Sequence, residues 1–231
     1  MSALRGVVFD LDGTLIDSEP LWAETEIQVA ASGGVHWSQP DADAFFGKPL
    51  RSTAQAIVDA GHPSSLDQVI TAMLDVMESV YQQAVPWLPG SRRLLQQLDA
   101  AQIRTGIATM SFRRLVLQVA QDAPHQAVSV VVGGDEVSQG KPAPDVFLAA
   151  IERLSLTPDQ VVVVEDSPTG AAAGLASGAA VVAIPPDESQ YRALPAHPRL
   201  SVLPTIASLD VDLLRQIHAG ASHDLWRIGA G

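Results

Sequence analysis

Two aspartates stand two residues apart near the start of the chain, directly after a short apolar run. The run is Val-Val-Phe at residues 7–9, and the segment DLDGT that follows it contains Asp10 and Asp12. Like charges held this close disfavour each other, so one carboxyl would take up a proton unless a cation neutralised the pair. A divalent metal and a charged substrate account for this spacing. An aspartate in such a place can also attack a phosphoryl group and form an aspartyl-phosphate.

Other polar residues follow apolar runs of the same kind further along the chain. Thr109 follows one run, Lys141 lies in the loop after a second, and Glu165-Asp166 ends a third. The carboxyl ends of parallel strands share one edge of a sheet, which is where such sheets bind ligands. There, Thr109 could hydrogen-bond a phosphoryl oxygen and Lys141 could offset the charge of nucleophile and phosphate. Phosphoryl transfer depends on such neutralisation and positioning, and Mg²⁺ held by a few carboxylates supplies part of it.

The elements that position these residues are predicted from hydrophobic patterning. Strands alternate with helices, which predicts an α/β fold with a doubly wound, Rossmann-like parallel sheet. Ser91 and Ser111 stand where they could cap helices. The predicted strands cover residues 7–9, 104–108, 128–132, 161–164, 181–184 and 201–203.

A helical block interrupts this alternation after the first strand. Residues from about 20 to 85 show helical periodicity, and a structureless loop of that length inside a compact domain would be implausible. The sequence therefore predicts two domains. Residues 1–16 and 87–231 form the α/β core, and residues 17–86 form an inserted α-helical domain.

The overall composition excludes several classes of protein. The 231 residues carry a formal net charge of −12, which disfavours nucleic acid and anionic membranes as partners. The absence of cysteine excludes disulfides and thiolate chemistry. Near the N-terminus the only apolar run has the length of a strand, so we expect no signal peptide and a cytoplasmic protein. Nothing in the sequence requires a dimer, and we expect a monomer.

The four motifs, taken together and in order, resemble those of the haloacid dehalogenase superfamily. The resemblance extends from the first strand to about residue 184. Within the superfamily, the segments FDLDGTLIDSEPLW and EDSPTG resemble subfamily IA, in particular its β-phosphoglucomutase-like branch and the sugar-phosphate phosphatases of that branch. The helical insert resembles the mobile cap domain of this class.

The resemblance implies a role for each matching residue. Asp10 would be the nucleophile and a metal ligand, and Asp12 the general acid and base, with its backbone carbonyl on the metal. Asp166 would bind Mg²⁺, with Glu165 binding or supporting it. Phosphate or substrate contacts would come from Thr109, Ser111 and Lys141, and from Arg51 in the cap segment GKPLR.

Hydrolysis of a small phosphorylated metabolite, most simply a sugar phosphate, is the function this resemblance favours. The sugar mutases of the branch carry a histidine in the cap hinge, where this chain has Trp22, and Thr14 is more typical of the phosphatases. A phosphomutase using the same residues stays an alternative. A non-enzymatic phospho-switch resembling a receiver domain is a second one, although Asp12 would shorten the life of its aspartyl-phosphate.

Overall fold

The computed structural model describes residues 3–45 and 48–226. The chain divides into two compact units, one consisting of Met1–Asp17 with Trp87–Gly231 and the other of Ser18–Pro86. The strands of the described residues are β1 (Gly6–Phe9), β2 (Arg104–Ala108), β3 (Val128–Val132), β4 (Val161–Glu165), β5 (Ala180–Ala183) and β6 (Leu200–Val202). Their α-helices are α1 (Glu19–Ser32), α2 (Gln39–Asp43), α3 (Leu50–Asp59), α4 (Leu66–Gln83), α5 (Ser91–Ala100), α6 (Arg113–Asp122), α7 (Asp145–Arg153), α8 (Pro168–Ala176), α9 (Glu188–Ala193) and α10 (Val211–His218).

The strands form one parallel sheet in the order β3-β2-β1-β4-β5-β6. This confirms the predicted doubly wound sheet. Every residue of β1 and β4 is buried, which explains why the residues before Glu165 in β4 and all residues of β1 are apolar rather than alternating. The strand order reverses between β1 and β4. A sheet of this kind binds ligands at such a reversal, outside the carboxyl ends of the strands.

Helix α8 packs closely on the sheet because its buried face is built from glycine and alanine. A Cβ atom on Gly174 would lie 3.0 Å from Cγ1 of Val163 and 3.0 Å from Cγ2 of Val181, so only a very small residue fits there. Ser167 caps the helix by accepting a hydrogen bond from the Gly170 amide at 3.0 Å. The helix therefore begins directly behind the end of β4.

Two predicted helix caps are wrong. Gly90, with a φ of 100°, is the N-cap of α5, and Ser91 is the first residue of that helix. Phe112 is the N-cap of α6, and no side-chain cap hydrogen bond is made there. The Ser111 hydroxyl instead makes a contact in the candidate active site described below. A hydroxyl has several possible partners, and the tertiary structure selects among them.

The unit Ser18–Pro86 contains α1 to α4 and has its own hydrophobic core. Its buried residues come from three of these helices and the loop after α1, and they include Val29, Ala54, Ile57, Val69 and Met73. Ser65 caps α4 together with Gln68 in a capping box. Across residues 3–45 and 48–226, no helix combines the length and apolar character that crossing a bilayer demands.

One buried carboxyl in this unit makes its stability depend on pH. Glu26 of α1 is 7% exposed, and its Oε2 accepts a hydrogen bond from Trp37 Nε1 at 3.3 Å. Burial raises the pKa of Glu26 from 4.5 to about 7, although the Trp37 hydrogen bond opposes this rise. Between these two values the folded state holds a proton that the unfolded state has released. Stability therefore falls as pH rises through this window.

We expect Glu26→Gln to raise the free energy of unfolding at about pH 8 by about 2 kcal/mol and to leave it nearly unchanged at about pH 4, below both pKa values. Glutamine keeps the shape of the side chain but carries no charge to bury. Urea unfolding at both pH values measures the effect. Glu24→Gln, on the exposed face of the same helix, is the matched control and should change neither midpoint. An equal shift at both pH values would show that the charge of Glu26 is not the cause.

Candidate active site

The polar residues predicted at the strand ends lie together at the carboxyl edge of the sheet. Asp10 follows β1, Thr109 follows the neighbouring β2, and Glu165 is the last residue of β4 on the other side. The Asp10 amide donates a hydrogen bond of 2.9 Å to the carbonyl of Val164, which continues the pairing of β1 with β4. Asp10 and Glu165 therefore lie side by side at the point where the strand order reverses.

Lys141 joins the two carboxylates across this point. Its Nζ atom lies 2.5 Å from Asp10 Oδ1 and 2.5 Å from Glu165 Oε1, and only 8% of the lysine side chain is exposed. The ring of Phe147 lies 4.9 Å from the same ammonium. Burial opposes the charge on Lys141, but the two carboxylates outweigh it and raise the pKa of the ammonium above its usual value. Lys141 is therefore a fixed positive charge beside Asp10.

Both oxygens of the Glu165 carboxylate are engaged. Oε1 accepts from Lys141, and Oε2 accepts three hydrogen bonds of 2.9 Å, from the Asp166 amide, the Ser167 amide and the Ser167 hydroxyl. The side chain is buried. Glu165 thus ties the lysine to the turn that starts α8. Direct coordination of a metal by Glu165 would have to compete with these contacts.

The cluster contains three carboxyl groups and one ammonium group. Asp10, Glu165 and Asp166 each offer an oxygen within 4.8 Å of the others, and Lys141 is the cation that contacts two of them. Burial raises the pKa of Asp10 to about 7. Burial, and then the charges of Asp10 and Glu165, raise the pKa of Asp166 to about 9. A hard divalent cation would stabilise the ionised form of all these carboxyl groups, and carboxylate oxygens are its usual ligands. The cluster therefore fits a site for such a cation.

Asp12 is held by the loop after β2. Its Oδ2 accepts a hydrogen bond of 2.6 Å from the Ser111 hydroxyl and one of 3.3 Å from the Thr109 hydroxyl. Thr109 in turn accepts a hydrogen bond from the Ser111 amide at 3.1 Å. The two hydroxyls predicted to bind phosphate therefore contact Asp12 in this structure. They fix the orientation of the carboxyl that is predicted to be the acid and base.

The turn after Asp12 passes very close to Asp166. Gly13 has a φ of 80°, and a Cβ atom on it would lie 2.4 Å from Asp166 Oδ2. The Thr14 hydroxyl donates a long hydrogen bond of 3.4 Å to Asp166 Oδ1. The DLDGT segment therefore needs glycine at this position both for its backbone conformation and for the space that Asp166 takes.

Arg51 is the one predicted site residue that belongs to the other unit. It is the second residue of α3, and its Nη1 atom lies 3.5 Å from Asp67 Oδ1. Both side chains are mostly exposed, so this ion pair contributes little to stability. Gly47, which begins the GKPLR segment, lies outside the described residues. A role of Arg51 in substrate binding stays a prediction.

Two residues of the EDSPTG segment shape the site, although the sequence analysis assigned no site role to either of them. Ser167 donates twice to Glu165, through its amide and its hydroxyl. Gly170 lies in the first turn of α8, directly against the Glu165 carboxylate. The signal for Ser167 was available, since a serine after an acidic pair at the start of a helix is a typical cap. The contact of Gly170 with Glu165 was visible only once the helix was placed.

Comparison with known proteins shows which family and which relatives this chain resembles. The family model of haloacid dehalogenase-like hydrolases matches residues 7–184. A phosphorylated carbohydrates phosphatase of Thermotoga maritima is 30% identical over 76% of this chain and 82% of its own length. Hexitol phosphatase A of Escherichia coli is 32% identical over 78% of this chain and 82% of its own length.

Two further comparisons add a partial match and a solved structure. The bifunctional riboflavin kinase/FMN phosphatase of Arabidopsis thaliana is 31% identical over 78% of this chain, which spans only 48% of that protein. The crystal structure of CbbY from Rhodobacter sphaeroides, a mutant in complex with xylulose-(1,5)bisphosphate, superposes with a TM-score of 0.75. The two are 21% identical, and the match covers 89% of this chain and 96% of that one. This likeness shows a shared fold.

Proposed function

This chain belongs to the haloacid dehalogenase-like hydrolases, and we propose that it is a Mg²⁺-dependent phosphatase of small phosphorylated metabolites, most simply sugar phosphates. The observation that carries the proposal is the buried contact of Lys141 with Asp10 and Glu165 at the reversal of the strand order. It combines a candidate nucleophile with a fixed positive charge for the phosphoryl group. Relatives that are named as phosphatases of phosphorylated carbohydrates and hexitols support the substrate class.

In the first step a carboxylate oxygen of Asp10 attacks the phosphorus atom of the substrate. A bond forms between this oxygen and phosphorus, and the ester bond to the leaving oxygen breaks. Asp12, in its protonated form, gives its proton to that leaving oxygen, which departs as an alcohol. The Lys141 ammonium stabilises the negative charge on the phosphoryl oxygens while the phosphoryl group passes from the leaving oxygen to the Asp10 oxygen.

In the second step water attacks the aspartyl-phosphate. Asp12, now ionised, takes the proton of the water as the new oxygen–phosphorus bond forms. The bond between Asp10 and phosphorus breaks, which releases inorganic phosphate and restores the Asp10 carboxylate. The hydroxyls of Ser111 and Thr109 contact Oδ2 of Asp12, and these contacts would orient its carboxyl for both proton transfers.

The donor set of the cluster fits Mg²⁺, which prefers oxygen ligands and retains several waters. The Asp10 and Asp166 carboxylates and the backbone carbonyl of Asp12 would hold the ion, and Glu165 would support them through its contacts with Lys141 and the turn. When bound, the ion supplies the positive charge that brings the substrate phosphate and the nucleophile together. The same charge would offset the excess of carboxylates.

We propose that the helical unit Ser18–Pro86 acts as a cap that controls access of water to the reacting phosphate. The relatives named as phosphatases favour hydrolysis over a mutase reaction, as does Trp22 at the position of the mutase histidine. Arg51 would then contribute to substrate binding from this unit. A cytoplasmic location and a monomeric state stay predictions.

The proposal is tested by phosphate release from a panel of hexose, hexitol and glycerol monophosphates, with nucleotides as comparison. We expect at least one sugar phosphate to be hydrolysed in the presence of Mg²⁺. Chelation by EDTA should lower the rate at least about 100-fold, and excess Mg²⁺ should restore it. Phosphorus NMR of the products distinguishes hydrolysis from isomerisation. No phosphate release from any monoester, or a rate that EDTA leaves unchanged, would contradict the proposal.

A further inference from the structure

We propose that Gly170 is a positioning residue for the reaction, because the space that its missing side chain leaves is the space that the Glu165 carboxylate occupies. Through Glu165, Gly170 determines where Lys141 stands relative to Asp10. Gly170 contacts neither the substrate nor the nucleophile in this assignment. The inference rests on the proposed phosphatase function. It assigns a positioning role in that reaction to a residue that has no side chain.

The geometry at Gly170 leaves no room for a side chain. A Cβ atom there would lie 1.7 Å from Glu165 Oε1, 1.9 Å from its Cδ and 2.2 Å from its Oε2. The residue lies buried in the first turn of α8, which is a regular helix. Glycine weakens a helix relative to alanine, so the requirement is for space rather than for backbone conformation.

The Glu165 carboxylate cannot simply swing away from an added methyl group. It is the end of a flexible side chain, but four hydrogen bonds hold it, one from Lys141 and three from the turn of Asp166 and Ser167. The side chain is 1% exposed, so a displaced carboxylate would lose these partners without gaining water. Movement of Glu165 therefore has consequences for every group it contacts.

The displacement would reach the nucleophile through one shared cation. Lys141 Nζ contacts Glu165 Oε1 and Asp10 Oδ1 at the same distance of 2.5 Å. If Glu165 moves, the ammonium loses one of its two anchors beside Asp10. Transferring a phosphoryl group depends on the placement of this charge, and a misplacement of about 1 Å can lower a rate about 10²-fold.

Helix α8 offers a matched control four residues further along. Gly174 is also buried, but its added Cβ would meet Val163 and Val181 at 3.0 Å rather than a group of the site. Gly174→Ala therefore makes the same chemical change in the same helix and crowds only the hydrophobic core. We expect it to change the melting temperature and to leave kcat close to that of the wild type.

The experiment compares Gly170→Ala and Gly174→Ala with the wild type for kcat, KM and melting temperature, using a sugar phosphate that the wild type hydrolyses. We expect Gly170→Ala to lower kcat about 10²-fold while it remains folded. In a Glu165→Ala background the same substitution should lower kcat no further, because the carboxylate that it displaces is absent. A crystal structure of Gly170→Ala should show Glu165 displaced from Lys141.

The outcomes separate this inference from the proposed function. If the wild type hydrolyses sugar phosphates and Gly170→Ala retains its kcat, Gly170 is not a positioning residue. An equal loss of kcat in Gly170→Ala with and without the Glu165 carboxylate overturns the route through Glu165. If the wild type itself releases no phosphate, the proposed function fails. In that case the crystal structure of the variant still shows whether Gly170 sets the position of Glu165.

Discussion

We expect Asp10→Asn to lose phosphatase activity at least about 10⁴-fold and to remain folded. The asparagine amide has nearly the shape of the carboxyl but lacks the anionic oxygen that attacks phosphorus. Burial raises the pKa of Asp10 to about 7, so the fold gains little from the ionised form. The variant should therefore melt at the wild-type temperature or above it in the presence of EDTA. Steady-state phosphate release and thermal unfolding measure the two effects.

The control for this variant makes the same chemical change on the surface of the same unit. Asp212 of α10 is 83% exposed in its side chain and pairs with Arg215 at 3.1 Å. Asp212→Asn should keep the full rate, since such pairs contribute little. Substantial activity in Asp10→Asn would show that Asp10 is not the nucleophile. Loss of its secondary structure would leave the rate uninformative, so circular dichroism is recorded for each variant.

Lys141→Met should lower the rate at least about 10³-fold and also destabilise the protein. Removing the ammonium takes the fixed positive charge from the phosphoryl group. It also leaves the buried carboxylates of Asp10 and Glu165 facing each other without the cation between them. Removing one partner of a buried ion pair typically lowers the free energy of unfolding by about 3–5 kcal/mol. Rate and urea unfolding are both measured.

A second substitution separates the two effects of losing Lys141. In the Lys141→Met background, Glu165→Gln removes one of the opposed charges, so the stability should partly return while the rate stays low. Recovery of the rate together with the stability would mean that Lys141 acts only on folding. Lys48, the other lysine of the chain, is exposed, and Lys48→Met is the control for stability.

The fold was accessible to sequence reasoning because it depends on patterns that are local. The valine runs of β1 and β4 predict buried parallel strands, and the intervals between them predict helices. The predicted strands agree with the observed ones to within one residue at every end. Connectivity rules reduce the number of possible strand orders, but the sequence analysis gave none, and the order is known only from the structure.

The residue types of the candidate site were also visible in the sequence. A single polar residue after an apolar run is a weak signal, but Asp10, Thr109 and the Glu165-Asp166 pair stand out when they are taken together. Their grouping follows from the parallel sheet, which brings the ends of neighbouring strands to one edge. Roles such as nucleophile, acid and metal ligand come from the resemblance to the family and from chemistry, and they await the variants described above.

What only the tertiary structure decided is the partner that each polar atom has. Ser111 was expected to cap a helix or bind phosphate, and its hydroxyl donates to Asp12, 99 residues away. Lys141 contacts Asp10, which lies 131 residues away in the sequence. A side chain at position 170 would overlap the Glu165 carboxylate, so glycine is needed there for space and not for its backbone conformation. Hydrophobic periodicity predicts which face of a helix or strand is buried, because this pattern lies within the sequence of that one element. Hydrogen bonds within a site depend on distances between atoms of distant segments, and packing of the whole chain sets these.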